Sequence, residues 1–331
     1  MRVVSIGIAA MILLVPAAPS HAATVVALEW GDKYGTYRDV IVDAKPGEAN
    51  DIHVEGGYTG TRVTDSVPLT AEFGCAAQPD GSVFCPDAGA RVKVDAGDLD
   101  DRVTVDVASA RLIGGEGNDV LVSTARFGRP TFTGGAGDDR MVLVQGEGDF
   151  LEGAQANGAD VISAGPHSDP RVSGPASTVS YAERVLPVRV ELDGDADDGE
   201  AGEHDQIVGN LAVVGGAGPD RLTGNDGPNT LMGKRGDDVL TGGPGLDTLF
   251  GGNGDDVLRG GGGRDVLRGN RGRDRLLPGA GGLSSWGGPG NDVILAGGGS
   301  VDSIDCGPGW DRVRNDDFDL FQSRTCERRD R

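Results

Sequence analysis

The sequence predicts an all-β chain wound as a right-handed parallel β-roll (a β-solenoid), with an N-terminal β cap and a short C-terminal cap held by a disulfide. Three observations carry this expectation. Glycine supplies 58 of 331 residues and aromatic residues only 5%, so a single thick aromatic core is excluded. Nonapeptides follow one another from Gly215 to Leu295 with no insertion or deletion. One large aliphatic residue recurs in them at a fixed position, a register that disordered glycine-rich chains lack.

Taken in chain order, residues 1–23 read as a secretory signal. Arg2 precedes an apolar run from Val3 to Val15, and small residues Ser20 and Ala22 mark a cut near Ala22 or Ala23. Pro16 and Pro19 cut the run short of the roughly 20 apolar residues a membrane helix needs, so no span is expected after cleavage. Export places the chain in an oxidising compartment. Four cysteines allow three pairings, of which Cys75 with Cys85 and Cys306 with Cys326 are the pairs close in sequence. Each would close a loop of about ten to twenty residues and add about 3 kcal/mol.

Residues 24–96 read as an N-terminal β region, short strands punctuated by Gly, Pro and Asn that cap the roll and protect its first edge. A degenerate repeat block follows over 97–172. In it GDLDDRVTV from Gly97, GGEGNDVLV from Gly114 and GGAGDDRMV from Gly134 bring Asp101, Asp119 and Asp139 to the acidic position of the pattern. The spacers between them are not multiples of nine, which argues against stacking into closed sites. Residues 173–214 read as a solvated acidic linker. The run VELDGDADDGEAGEHD from Val190 invites an EF-hand reading and fails it, because Asp198 stands where the loop needs Gly and His204 where it needs Glu.

The main array runs GGAGPDRLT, GNDGPNTLM, GKRGDDVLT, GGPGLDTLF, GGNGDDVLR, GGGGRDVLR, GNRGRDRLL, PGAGGLSSW and GGPGNDVIL. The fourth position is always Gly. The sixth is Asp at Asp220, Asp238, Asp247, Asp256, Asp265, Asp274 and Asp292, and the eighth is Leu or Ile except at Ser285. Glycines suit the first six residues to a tight turn. The last three suit a short strand with one apolar side chain inward and its neighbours outward. A single inward residue cannot bury itself, so the units must stack.

These residues resemble the RTX, or haemolysin-type, calcium-binding repeat, whose signature is G-G-x-G-x-D-x-U-x. The resemblance implies a roll over residues 215–305 with two nonapeptides per coil. One edge would then carry Asp220, Asp238, Asp256, Asp274 and Asp292, and the other Asn229, Asp247, Asp265 and Leu283. It also implies Ca2+ as the bound ion, with the sixth-position Asp residues as ligands and Asp119 and Asp139 as further candidates. Independently of the family, stacked carboxylates and turn carbonyls favour a hard cation with oxygen ligands. Zinc is disfavoured, since His53, His167 and His204 stand in no close pairing with cysteine.

Residues 306–331 read as the C-terminal cap, where Asp302 and Asp311 continue the pattern on its approach and Phe318, Leu320 and Phe321 supply large apolar groups. A formal net charge of −22 excludes nucleic acid as a natural partner and points to cations. The array itself is nearly neutral, and its arginines, Arg259, Arg268 and Arg273 among them, are expected to act partly as counter-charges and to soften the calcium dependence of folding. No H-E-x-x-H, G-x-S-x-G or P-loop motif occurs, so an enzyme is not expected. The expected role is a secreted structural or surface-interaction protein, with cell-surface or matrix polymers as candidate partners. The alternatives are a β-helix enzyme acting on polysaccharide and an adhesin binding through its N-terminal region.

Overall fold

The computed structural model describes residues 23–32, 35–57, 59–86, 91–153, 158–164, 177–209, 211–281, 284–297, 302–314, 320–321, 326 and 328–330. Residues 1–22 of the expected signal segment, Leu283 and the side chains of Phe318 and Phe321 lie outside them, whereas Ala23, the last residue expected in that segment, already pairs with Leu69 in a strand. Every regular element among the described residues is a β-strand.

The repeat dictates a flattened coil with two strand-bearing faces, because x-U-x is long enough for only one short strand before the next glycine turn. In the array each coil takes 18 residues, as two nonapeptides require: Leu240 lies beside Leu258 and Leu258 beside Leu276 on one face, and Leu231, Leu249 and Leu267 align on the other. These inward residues are fully buried. Ser285 continues the second column, also fully buried, and its hydroxyl finds no partner there. Further up the face of Leu231, Leu249 and Leu267 the core widens to admit Phe132 and Phe150, stacked with ring centroids 4.8 Å apart.

The first face is a sheet of 15 strands reaching from Leu69–Glu72 to Leu320–Phe321, parallel throughout except where Ala23–Asp32 meets Gly35–Asp43. The second face begins with antiparallel strands Val83–Pro86, Gly60–Thr64 and Asp51–Gly57 and becomes parallel at Arg102–Asp106. Antiparallel pairs need only short turns, which suits a cap whose end must be covered rather than extended. The N-terminal region also supplies a coil of its own, since Gly35–Asp43 and Asp51–Gly57 pair parallel to the first repeats. Disulfides join Cys75 to Cys85 and Cys306 to Cys326, the pairs close in sequence.

The solenoid runs on through the segment expected to be a linker. Strands Ser177–Ser180 and Leu211–Val214 pair with each other and with both blocks on the first face. On the second face Val188–Glu191, Ala196–Glu200 and Asp205–Val208 form a meander between Val161–Ala164 and Arg221–Thr223. The acid-rich composition suggested solvent, but Asp198, Glu200, Glu203 and Asp205 are buried because Arg184 and backbone N–H groups receive them. At the far end, Leu320 is 61% exposed and does not serve as the apolar plug expected of it. The closure there comes from the buried Cys306–Cys326 bond and the parallel pairing of Arg328–Asp330 with Arg312–Arg314.

Candidate metal centre

The turns that join the faces share one backbone shape. In the array interior the second position takes positive φ at Lys234, Gly243, Gly252, Gly261, Asn270 and Gly288, and the fourth does so at Gly236, Gly245, Gly254, Gly263 and Gly272. Two left-handed residues separated by one make a sharp corner that glycine reaches without steric penalty. The corner brings the sixth-position Asp over the first-position Gly of its own repeat.

Each Asp then does two things with its two oxygens. Oδ1 accepts the backbone N–H of the Asp one coil earlier: Asp220 donates to Asp238, Asp238 to Asp256, Asp256 to Asp274 and Asp274 to Asp292, at 2.8–2.9 Å. Asp292 donates in turn to Asp311 at 2.9 Å. The opposite edge repeats the arrangement from Asn229 to Asp247 and from Asp247 to Asp265. Oδ2 of Asp238, Asp247, Asp256, Asp265, Asp274 and Asp292 is buried and has no hydrogen-bond partner. An orphaned buried carboxylate oxygen costs more than most neutral groups, so a row of them at one register marks where a ligand belongs.

The first-position glycine shapes the space beside that oxygen. Gly251 has no positive φ, so backbone conformation does not demand glycine there. A Cβ on it would overlap Asp256 Oδ2 and come 2.8 Å from the carbonyl oxygen of Gly269 in the next coil. The same gap recurs at Gly233, between Asp238 Oδ2 and the Gly251 carbonyl. A carboxylate oxygen and a carbonyl oxygen from the adjoining coil therefore border one small cradle, kept open by the absence of a side chain.

The electrostatics agree. Burial, the largest cause, raises the carboxyls of Asp220 and Asp274 to about 6, those of Asp238, Asp247 and Asp292 to about 7, and that of Asp256 to about 8, against 3.8 for a free Asp. Asp265 is raised for the same reason. The opposing influence is the single backbone N–H that each Oδ1 accepts, joined at Asp220 by the Gly216 N–H on Oδ2. The expected arginine counter-charges do not reach these oxygens. Strand alternation turns the seventh and ninth positions outward, and Arg273 pairs with the exposed fifth-position Asp255 at 2.7 Å.

This donor set fits a hard cation. Among the described residues no three His, Cys, Asp or Glu side chains converge on a point, so each turn offers a carboxylate together with main-chain carbonyls, the ligand class of calcium. Asp220 differs from the rest: its Oδ2 accepts the Gly216 N–H at 2.7 Å, and Gly216 is not left-handed. The first turn thus gives its own carboxylate a backbone partner, although Gly215 leaves the same gap there, between Asp220 Oδ2 and the Gly233 carbonyl.

The ladder is longer than the array. Asn50 donates to Asp101, Asp101 to Asp119, Asp119 to Asp139, Asp139 to Asp160 and Asp160 to Asp205, at 2.6–3.0 Å. Asp119 and Asp139 therefore stack, contrary to what their uneven spacing suggested, because the extra residues bulge at the opposite edge while the acidic edge stays in register. Their Oδ2 atoms, like that of Asp101, are buried without partners, and burial lifts their carboxyls to about 6 and about 7. The first of these repeats starts at Ala96, one residue before the Gly97 of the sequence reading, since Gly97 and Leu99 take the two left-handed positions. Sequence reasoning missed Asp160 and Asp205. Both stand in the shorter pattern D-x-U-x, in DVIS and DQIV, without the preceding Gly-Gly.

At the meander the ladder is closed by protein groups. Tyr181 Oη donates to Asp205 Oδ2 at 2.9 Å, and buried Arg184 lies 2.8 Å from Glu203 and 3.6 Å from Glu152. A second run begins beyond it, where Val188 N–H donates to Asp220 Oδ1.

Comparison with curated proteins gave no match. The family model described as the RTX calcium-binding nonapeptide repeat (4 copies) matches residues 109–125, 214–249, 223–258, 250–282 and 286–301. Those segments contain Asp119 and the sixth-position Asp residues of the array, whose turns carry the oxygen cradles. The chain thus carries calcium-binding nonapeptide repeats of the RTX type over residues 214–282 and 286–301 and in one earlier segment, 109–125.

Proposed function

We propose that this is a secreted structural protein in which calcium, held between stacked Gly-Asp turns, is coupled to folding, and which has no catalytic activity of its own. The observation that supports this most directly is the row of buried Oδ2 atoms of Asp238, Asp256, Asp274 and Asp292, each orphaned beside a glycine cradle. Burying several ionised carboxylates at about 4.8 Å spacing is unfavourable without a counter-charge, and a divalent cation between coils supplies one where arginine does not. Asp247 and Asp265 would do the same on the opposite edge, and Asp101, Asp119 and Asp139 in the N-terminal block. Secretion is supported by the signal-like N-terminus and by two disulfides, which persist in oxidising compartments.

A ligand that binds only the folded state raises the unfolding midpoint with concentration. Melting the mature chain across a calcium series, beside equilibrium dialysis, is the test. A midpoint that climbs with calcium and falls with chelator is expected. Dialysis against millimolar calcium that returns metal-free protein would overturn the reading.

A further inference from the structure

The outward positions of the first face carry a feature that calcium binding does not use. Met232, Phe250, Arg268 and Trp286 align across four neighbouring strands, each paired with the next in register. At about 4.8 Å per strand the column is about 14 Å long. It floors an open groove of about 850 Å³ whose flanks include Lys234, Arg271 and Asn270. No carboxylate lines the groove among the described residues, although the chain as a whole carries −22.

Arg268 is held in a particular pose. Its Cζ lies 4.7 Å from the centroid of the Trp286 ring and 5.7 Å from that of Phe250. Two aromatic neighbours restrain a guanidinium without consuming its N–H fork. Neither Arg268 nor Lys234 nor Arg271 forms an ion pair with a described residue, whereas Arg273 is spent on Asp255. The groove is thus a local reversal of charge, preorganised, aromatic and open along its length.

We propose that this groove binds an anionic polysaccharide, with Arg268 taking an acid group of one sugar in its fork and Trp286 packing against the apolar face of a neighbouring ring. Each part of the groove matches a part of that ligand. The fork suits a planar carboxylate, Lys234 and Arg271 suit further charges along the chain, and the Asn270 amide suits hydroxyls. A shallow strip suits an extended polymer better than a compact molecule, which needs an enclosing pocket. A nucleic acid would meet the same basic groups, but successive bases need successive stacking rings, and here Arg268 stands between Phe250 and Trp286.

The test uses the mature full chain at one saturating calcium concentration, titrated calorimetrically with polygalacturonate, dextran sulfate, neutral dextran and a single-stranded oligonucleotide. Binding to the charged glycans and not to neutral dextran is expected. The stronger of the two identifies the acid group as carboxylate or sulfate. Arg268→Ala and Trp286→Ala should each weaken binding by about tenfold or more, the loss of one charge-assisted contact or one stacked ring. Arg268→Lys should weaken it several-fold, because a point charge lacks the fork, and Arg273→Ala should change nothing. Calcium-dependent melting of every variant should match the parent, which separates failure of this proposal from failure of the calcium reading. The proposal falls if neither charged glycan binds, if both alanine variants bind as the parent does, or if the oligonucleotide binds more tightly than either glycan.

Discussion

Replacing Asp256 by Asn should leave the calcium-free protein nearly as stable as the parent and remove part of what calcium adds. The amide oxygen can keep the bond that Oδ1 accepts from Asp238 at 2.8 Å. The amide nitrogen replaces an orphaned Oδ2 by a donor next to the carbonyl of Gly269. Asn229 already fills the equivalent position in the first turn of the other edge, so the fold tolerates the side chain. With its carboxyl raised to about 8 by burial, Asp256 is mostly protonated at neutral pH without metal, and Asn imitates that neutral form. Calcium at about 10 mM, acting on a site with a dissociation constant of about 10⁻⁴ to 10⁻³ M, contributes about 1.4–2.7 kcal/mol. That corresponds to a midpoint shift of about 2–4 °C for a mature chain of this length. Four melts decide the matter, parent and variant, each in calcium and in chelator. The reasoning is refuted if the variant loses as much in chelator as in calcium, because the carboxylate would then serve only as a turn former.

Other perturbations test other parts of the cradle. Gly251→Ala, at a position where φ permits a side chain, should abolish calcium stabilisation at that turn and cost about 1–3 kcal/mol by overpacking, while Gly262→Ala, with open space around it, should be silent in the same melts. Without calcium, stability should be greatest at acid pH: carboxyls raised to about 6–8 from 3.8 make the folded state hold more protons than the unfolded chain, so stability falls as pH rises from about 4 and levels off above about 8. Calcium should reverse that slope by displacing the same protons, and melts at pH 5 and pH 8 with and without metal would read both signs. Ser285→Ala, which deletes a buried hydroxyl with no partner, should raise the midpoint by the equivalent of about 1 kcal/mol in chemical denaturation.

Much of this was legible in the sequence because one quantity, the 18-residue interval, controls both core and ladder. Leu240, Leu258 and Leu276 stack for the same reason that Asp238, Asp256 and Asp274 do, and the groove column Met232, Phe250, Arg268 and Trp286 follows the same interval. What the sequence hid was any place where one edge keeps register and the other does not. Asp119 and Asp139 are separated by an interval foreign to the repeat, yet the N–H of one reaches the carboxylate of the other at 2.8 Å. Coil length can vary at a bulging corner without disturbing a bond made at the opposite corner. Asp205 was concealed further by chain reversal, since Val188–Glu191 joins the later coil before Asp205–Val208 joins the earlier one. Composition misled at the same place: Glu200 and Glu203 read as solvated acid until Arg184, far from both in pattern, is found buried between them.

The position of the arginines sets how strongly the fold should depend on metal. Near-neutrality of the array suggested that Arg could stand in for calcium, but neutrality summed over a segment says nothing about distance. A carboxylate turned into a dry corner feels a cation on the outer face across several ångströms of backbone and water. Arg273 at 2.7 Å from Asp255 shows where such a cation gains most, and Asp255 is pulled below 3.8 by its bonds to Arg273 while Asp256, one residue along, is pushed to about 8. Adjacent acids with opposite shifts differ in what meets them: the outer one is matched by Arg273, and the inner one has an oxygen that no described residue satisfies. It follows that converting surface arginines such as Arg259 and Arg275 to Gln should leave the calcium-dependent midpoint shift unchanged, whereas any loss of an inner Asp should reduce it. A calcium response that tracked the arginines instead would mean that the charge balance is set at the surface, and the cradle would be a consequence of the fold with no part in binding.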